Sequence, residues 1–353
     1  DLSSNCTTFH TKTLFTARYP FFRIWEEMRG FKTIKKQPTQ PQSQPQYEVA
    51  DVLNKLGSKL EDLGLNSWQL RTLFALKKCR TSALGGHIDA CDECGNISIS
   101  YNSCRNRHCP KCQGRNREQW IENRETELLP VPYFHVVFTL PEVLNKTALH
   151  EPKMLYDILF ESAWETLQTF GKNKNLQMGM IAVLHTWGQN LSLHPHLHCI
   201  VPGGGVDENG AWKNIKNDGK FLFSVKALSK VFRAKFCEKL KANLKDKFNE
   251  NQENEYEKIR QSLWEKPWVV YAKKPFGSPK SVVEYLGRYT HKIAISNGRI
   301  RGIDDKTVTF SYKDYRQKGI KKQMVLSHAE FIRRFTMHIL PKRFVKIRHY
   351  GFL

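Results

Sequence analysis

Apolar residues recur along the chain at two different periods, and the alternation between them outlines its elements. Val49, Val52, Leu53 and Leu56 stand at helical spacing, and a second helix is expected over Trp68 to Lys78 with Ser67 as its cap. Tyr133 to Thr139 (YFHVVFT) is rich in β-branched and aromatic residues and reads as a strand. Leu155, Ile158, Leu159, Ala163, Leu167 and Phe170 then form a helical stripe within Met154 to Phe170. Strands follow over Gln177 to Thr186 and His194 to Val201, the second ended by Gly203-Gly204-Gly205. Leu228, Phe232, Phe236, Leu240, Leu244 and Phe248 recur every four residues on a Lys-rich helix. Polar Asn249 to Glu255 reads as a loop or mobile insertion, and Trp268 to Ala272 as a strand. Ser278-Pro279 opens a helix carrying Val282, Val283 and Leu286. Asn297-Gly298 marks a hairpin turn, and Ser327 with Glu330 a capping box for a last helix.

Strands interleaved with helices and joined by short turns predict an α+β fold, a mainly antiparallel sheet with helices packed on it. Pro38 to Gln46 is rich in Gln and Pro and has too few apolar residues to pack. The chain also starts at Asp1 without an initiator, so residues 1–46 are expected to be a disordered or non-native lead-in.

Composition narrows the class of partner. The 353 residues carry 56 Lys and Arg against 34 Asp and Glu, a formal charge of +22. Such an excess favours a polyanion, above all nucleic acid. No apolar run approaches the ~18 residues that would span a bilayer, and no basic-then-apolar signal peptide opens the chain. Nine cysteines in a chain of this length fit a reduced cytoplasmic compartment rather than a disulfide scaffold.

Six of those cysteines fall between Cys79 and Cys112. Cys91-x2-Cys94 and Cys109-x2-Cys112 are two knuckles 14 residues apart. Each tight turn lets two thiolates reach one ion, and two knuckles complete a tetrahedral zinc site. Cys79, His87, Cys104 and His108 could form a second, interleaved site, unless the two histidines face solvent or DNA. With every ligand position filled, zinc here is structural. Arg105, Arg107, Lys111, Arg115 and Arg117 surround the knuckles and suit phosphate contacts, or else form a solvated charged face.

His194-Pro195-His196-Leu197-His198 sets three imidazoles at every second residue, on one face of a strand. Several histidines on one face favour a metal over a core role. The HxHxDH metallohydrolase pattern fails here, because no Asp stands at Leu197 or His198. Too little chain follows for an amidohydrolase barrel. Tyr285 and Tyr289 lie one above the other on a helix face. A phenol with a pKa near ~10 is a poor nucleophile unless a metal or base assists it. An aromatic core pair is the plain alternative, but Gly287, Arg288 and Thr290-His291-Lys292 make the face polar.

Together these blocks resemble the two-tyrosine HUH transposases of the rolling-circle insertion sequence family 91 type. The likeness rests on Cys91 to Gln113 (CDECGNISISYNSCRNRHCPKCQ), Tyr133 to Pro141 (YFHVVFTLP), Leu184 to Gly205 (LHTWGQNLSLHPHLHCIVPGGG) and Tyr285 to Asn297 (YLGRYTHKIAISN). It runs from about Tyr47 to Leu353, where family members usually continue into a basic tail, so a truncated form is expected.

The resemblance implies an HUH endonuclease-type sheet preceded by a small helical and zinc-binding domain. It implies His196 and His198 as ligands of a catalytic Mg²⁺ or Mn²⁺, with Gln189 as the third and His185, His194 and His291 as competitors. It implies Tyr285 and Tyr289 as nucleophiles that form 5′-phosphotyrosine bonds with a single DNA strand. No GxxxxGK[ST] loop occurs, consistent with strand transfer that needs no nucleotide triphosphate. Arg288 and Lys292 are candidate strand contacts, with Arg299, Arg301 and the stretch from Lys313 to Arg348. The expected domains are helices over 47–78, zinc-binding DNA recognition over 79–129, catalysis over 130–312 and a basic segment over 313–353. The expected partners are single-stranded and hairpin or duplex ends of a mobile element, met at the bacterial nucleoid. Competing functions are a rolling-circle replication initiator, a conjugative relaxase, or a non-catalytic zinc-ribbon DNA-binding regulator.

Overall fold

A computed structural model describes residues 45–90, 95–113, 118, 121–122, 128–216, 221–244, 250–273, 279–290 and 292–353. In chain order, α1 (Val49–Leu56) and α2 (Ser67–Lys78) precede a hairpin of β1 (Gly86–Ala90) and β2 (Ile97–Tyr101). β3 (Tyr133–Thr139), α3 (Asn145–His150), α4 (Pro152–Lys172), β4 (Gly179–Trp187) and β5 (Leu193–Pro202) follow. Next are the short pair β6 (Gly204–Val206) and β7 (Trp212–Asn214), α5 (Val225–Leu244), α6 (Glu250–Glu265), β8 (Val270–Ala272) and α7 (Pro279–Thr290). The chain ends with β9 (Ile300–Ile303), β10 (Thr307–Asp314), β11 (Ile320–Ser327), α8 (His328–Thr336) and β12 (Ile347–Gly351). None of the described helices is long and apolar enough to cross a membrane.

The central sheet has the order β12-β4-β5-β3-β8, and every neighbouring pair is antiparallel. Side-chain alternation gives this α+β sheet two unlike faces. On one, Phe134, Val136, Phe138, Met180, Ala182, Leu184, Leu197, Cys199 and Val201 join α4, α5 and the second half of α6 in the main core. On the other, Tyr133, Ile181, Val183 and Ile200 meet Val282 of the tyrosine-bearing α7. The histidine strand is therefore central and the tyrosine helix lies against its sheet.

A second core holds α1, α2, α8 and the three-stranded sheet β11-β10-β9, together with Cys79, Cys109, Cys112 and Trp187. Asn66, not Ser67, caps α2: its side chain accepts from Gln69 N at 2.9 Å, and Gln69 returns a bond to Asn66 N at 3.0 Å. Asn297-Gly298 makes no hairpin. The Asn297 side chain accepts from Val49 N at the start of α1, at 3.1 Å, and Asn297–Arg299 forms a single 3₁₀ turn into β9.

Two other segments differ from expectation for physical reasons. The polar run from Glu250 is helical, because the apolar residues that anchor α6, Ile259 and Leu263, come only in its second half. The boundary expected at 312/313 falls inside β10, and β12 closes the edge of the central sheet beside β4. Edge pairing uses backbone groups, so a basic sequence does not prevent it.

Candidate active site and metal centres

The histidine face is assembled by register across three strands. His196 stands directly opposite His185 on β4, while His198 stands opposite Val183 on one side and Val137 on the other. Ring nitrogens of His185, His196 and His198 all lie within 4.8 Å of one another. His196 Nδ1 donates to the His194 carbonyl at 2.6 Å, which leaves Nε2 as the lone-pair nitrogen. His198 Nδ1 lies 2.8 Å from Nε2 of His135, whose ring stacks on it at 5.0 Å between centroids. Burial pushes His196 down to about 3 and His198 well below its ordinary value. Both rings are therefore neutral near pH 7, the form that can ligate a metal. Three imidazoles fit a divalent transition ion better than Mg²⁺, which favours an oxygen shell.

Gln189 is in the turn after β4, where its backbone carbonyl accepts from the Arg299 guanidinium. His194 is the exposed end of the row. His291 lies outside the described residues. His185, one of the competitors, is the imidazole that joins His196 and His198.

Tyr285 reaches this group through a residue that sequence reasoning missed. Its Oη lies 3.4 Å from His135 Nδ1, and the two rings meet edge to face at 5.1 Å. Lys273 Nζ sits 5.1 Å from the centre of the Tyr285 ring. His135 is buried, and burial with the nearby Lys273 charge lowers it to about 4. The available signal was a lone histidine in the apolar strand YFHVVFT, but only the β3–β5 register shows what it faces. Tyr289 continues α7, and its side chain and that of Arg288 lie outside the described residues. Lys292 follows the helix and is exposed.

The cysteine centre regroups the expected ligands. Sγ atoms of Cys79, Cys104, Cys109 and Cys112 lie within 4.8 Å of one another, with Cys112 at 3.6 Å from Cys79 and 3.7 Å from Cys104. A zinc tetrahedron with ~2.3 Å Zn–S bonds has edges of about 3.8 Å, so the set fits that ion. Hydrogen bonding from Cys109 holds Cys104 down to about 5, while burial pushes Cys79 up to about 11. The knuckle Cys109-x2-Cys112 is thus completed by Cys79 and Cys104, which had been expected in a separate site. The β1–β2 hairpin explains this: Arg80 N donates to Asn102 O at its base and brings Cys79 beside Cys104. Cys91 and Cys94 lie outside the described residues. His87 sits on β1 opposite Ser100. His108 is not one of the four thiol-site ligands; its Nε2 is buried without a hydrogen-bond partner among the described residues.

The basic residues near the knuckles divide in the same way. Arg107 donates to the carbonyls of Phe344 and Pro341, and Lys111 pairs with Glu48. Both have structural partners, whereas Arg105 is exposed. Arg115 and Arg117 lie outside the described residues.

Comparison with known proteins finds matches over most of the described chain. Residues 51–140 match the family model "Transposase zinc-binding domain", and residues 179–353 match "Putative transposase". The chain is 30% identical over 304 residues to "Transposase for insertion sequence element IS801" of Pseudomonas savastanoi pv. phaseolicola, covering 83% of this chain and 72% of that protein. The chain belongs to the insertion sequence family 91 transposases.

A second relative of this transposase is "Putative transposase y4qJ" of Sinorhizobium fredii (strain NBRC 101917 / NGR234). The two are 45% identical over 319 residues, 87% of this chain and 80% of that protein. The zinc-binding match spans all four clustered cysteines and supports a structural zinc in the transposase. The same match includes β3 and His135, while the second covers β4, β5, α7 and β12.

Proposed function

We propose that the transposase nicks and rejoins single DNA strands through 5′-phosphotyrosine intermediates, moving its element by a rolling-circle route. The observation that carries this reading is Tyr285 Oη, hydrogen-bonded to a histidine that also contacts His198. A phenol packed only as core would have no need of that polar chain.

His196, His198 and a third ligand would hold a divalent ion that polarises the scissile phosphate and stabilises its developing charge. Between Gln189 and His185, the ring-nitrogen grouping favours His185. Of Mg²⁺ and Mn²⁺, the imidazole set favours Mn²⁺. Tyr285 Oη attacks phosphorus in line, the bond to the 3′ oxygen breaks, and the phenol proton is lost as the leaving oxygen gains one. The phosphotyrosine ester conserves the energy of the broken linkage, so a later 3′-hydroxyl can reverse the step on a new strand. Tyr289, one helical turn on, is the nucleophile for the second strand.

The zinc module would dock the hairpin or duplex ends of the element, with Arg105, Arg115 and Arg117 toward phosphates. Arg288 and Lys292 flank the strand being cut. We assign recognition to residues 79–129 and catalysis to the central sheet and α7, with β12 completing that sheet. The site of action is the nucleoid in the bacterial cytoplasm.

A replication initiator or relaxase would share this chemistry, and the IS801 relationship favours transposition over both. A regulator without catalysis has no use for the Tyr285–His135–His198 chain. The test is cleavage of a labelled single-stranded oligonucleotide from the element's own end. Mn²⁺-dependent release of a 3′-hydroxyl fragment that disappears in His196→Ala supports the reading. Binding without cleavage supports the regulator.

A further inference from the structure

On the zinc-module side of the histidine group, Arg107, His108, Lys292, His338 and Lys346 line one small cavity, and no carboxylate is among its described lining residues. Trp187 forms part of the wall. Its ring stacks on His185 at 4.5 Å on one side, and Lys346 Nζ lies 5.3 Å from its centre. The cavity is therefore one aromatic ring away from the proposed metal ligands.

The donors around it are only partly used. Lys346 Nζ donates to Lys292 O at 2.9 Å and Thr290 O at 3.2 Å, two of the three bonds an ammonium can make. Arg107 uses two N–H groups on the carbonyls of Phe344 and Pro341, of the five it carries. His108 Nε2 is buried and has no hydrogen-bond partner among the described residues. His338, by contrast, has both ring nitrogens engaged, by Thr186 Oγ1 and Leu191 O. Placing Arg107 and Lys346 together with no carboxylate among the described lining residues is unfavourable. Burial and the Arg107 charge lower Lys346 to about 7. An anion would satisfy the remaining donors and relieve the repulsion.

We propose that this cavity is a phosphate subsite that takes the oxygens of a backbone phosphate next to the scissile one. The inference rests on the reading of the chain as a DNA strand-cutting enzyme, and it names where a neighbouring phosphate is held. The remaining donors of Lys346 and Arg107 suit the anionic oxygens of a phosphate better than a neutral base. Lys346 also holds the Thr290 and Lys292 carbonyls, so a bound strand and the end of α7 share one ammonium.

The test is binding of a fluorescent dT20 oligonucleotide to the zinc-loaded full chain, without added divalent ion, across a NaCl series. His108→Leu removes an unsatisfied nitrogen, so as a purely structural change it leaves the melting temperature level or higher. The subsite predicts that this variant nevertheless binds dT20 at least threefold more weakly. Lys346→Met is expected to weaken binding about tenfold and to flatten the log–log salt dependence by about 0.7, one single-strand phosphate. Wild-type affinity and slope in both variants overturn the strand assignment. A second arm compares sodium phosphate with sodium chloride at equal ionic strength. If phosphate alone stabilises the wild type but not Lys346→Met, and dT20 binding is unchanged, the cavity takes free phosphate instead. If neither probe responds to either variant, the phosphate subsite is excluded. Binding here needs no cleavage, so the result is independent of whether a covalent adduct forms.

Discussion

Tyr285 Oη lies 3.4 Å from His135 Nδ1, and the opposite nitrogen of that same ring lies 2.8 Å from His198 Nδ1. One imidazole thus connects the proposed nucleophile to a proposed metal ligand. It orients the His198 ring and seats the phenol, as outer-shell partners of ligating histidines do. His135→Ala should lower Mn²⁺ affinity ~10–100-fold and slow adduct formation at Tyr285 at least as much. His135→Gln should restore part of both. Calorimetric Mn²⁺ titration and adduct time courses measure the two effects. Unchanged Mn²⁺ affinity in His135→Ala would reduce the contact to packing.

His185 and His196 face each other across the β4–β5 ladder, so either loss should damage the ion site alike. His185→Ala is expected to lower Mn²⁺ affinity by a factor within threefold of that for His196→Ala. Gln189→Ala should stay near wild type. The reverse order would restore Gln189 as the third ligand.

Zinc content separates the two cysteine groupings. Cys79→Ser and Cys104→Ser should each lose one zinc per chain, as Cys109→Ser does, and lower the melting temperature by several degrees. The loss would destabilise the core shared with α1 and α2. Atomic emission and thermal melts give the answer. Retained zinc in Cys79→Ser, with loss in Cys91→Ser, would return the site to the two-knuckle grouping.

Lys346 supplies a pH signature. Its folded value is lowered to about 7 from the ordinary 10.5. Between those values the unfolded chain binds more protons than the folded one, so this group's contribution to stability rises with pH. Below about 7 both states are protonated and the cost of the buried charge is fully present. Wild type should therefore gain on Lys346→Met from pH 7 to pH 9.5, by about 1.4 kcal/mol per pH unit at most. Denaturant melts at three pH values test this. A stability difference that falls with pH contradicts the assignment.

How much of this was legible in the sequence depended on distance along the chain. The alternation His194, His196, His198 revealed one face of β5 without any partner strand. The imidazoles that complete the group, His185 and His135, belong to β4 and β3, and only strand register brings them there. Likewise the knuckle Cys109-x2-Cys112 is local, while Cys79 arrives through the base of a hairpin. β12 was hidden because backbone pairing, rather than an apolar pattern, holds it to the sheet. Arg107 and Lys111 also hold carbonyl and carboxylate partners that are distant in sequence, so only the fold shows their structural bonds.

The most direct measurement is covalent-adduct formation with a single-stranded oligonucleotide from the element's end in Mn²⁺, resolved on a denaturing gel. Wild type should yield a protein–DNA adduct. Tyr285→Phe and Tyr289→Phe should each reduce it, and the double variant should yield none. An adduct that survives in the double variant, or its absence from wild type with a cognate end, would contradict the account.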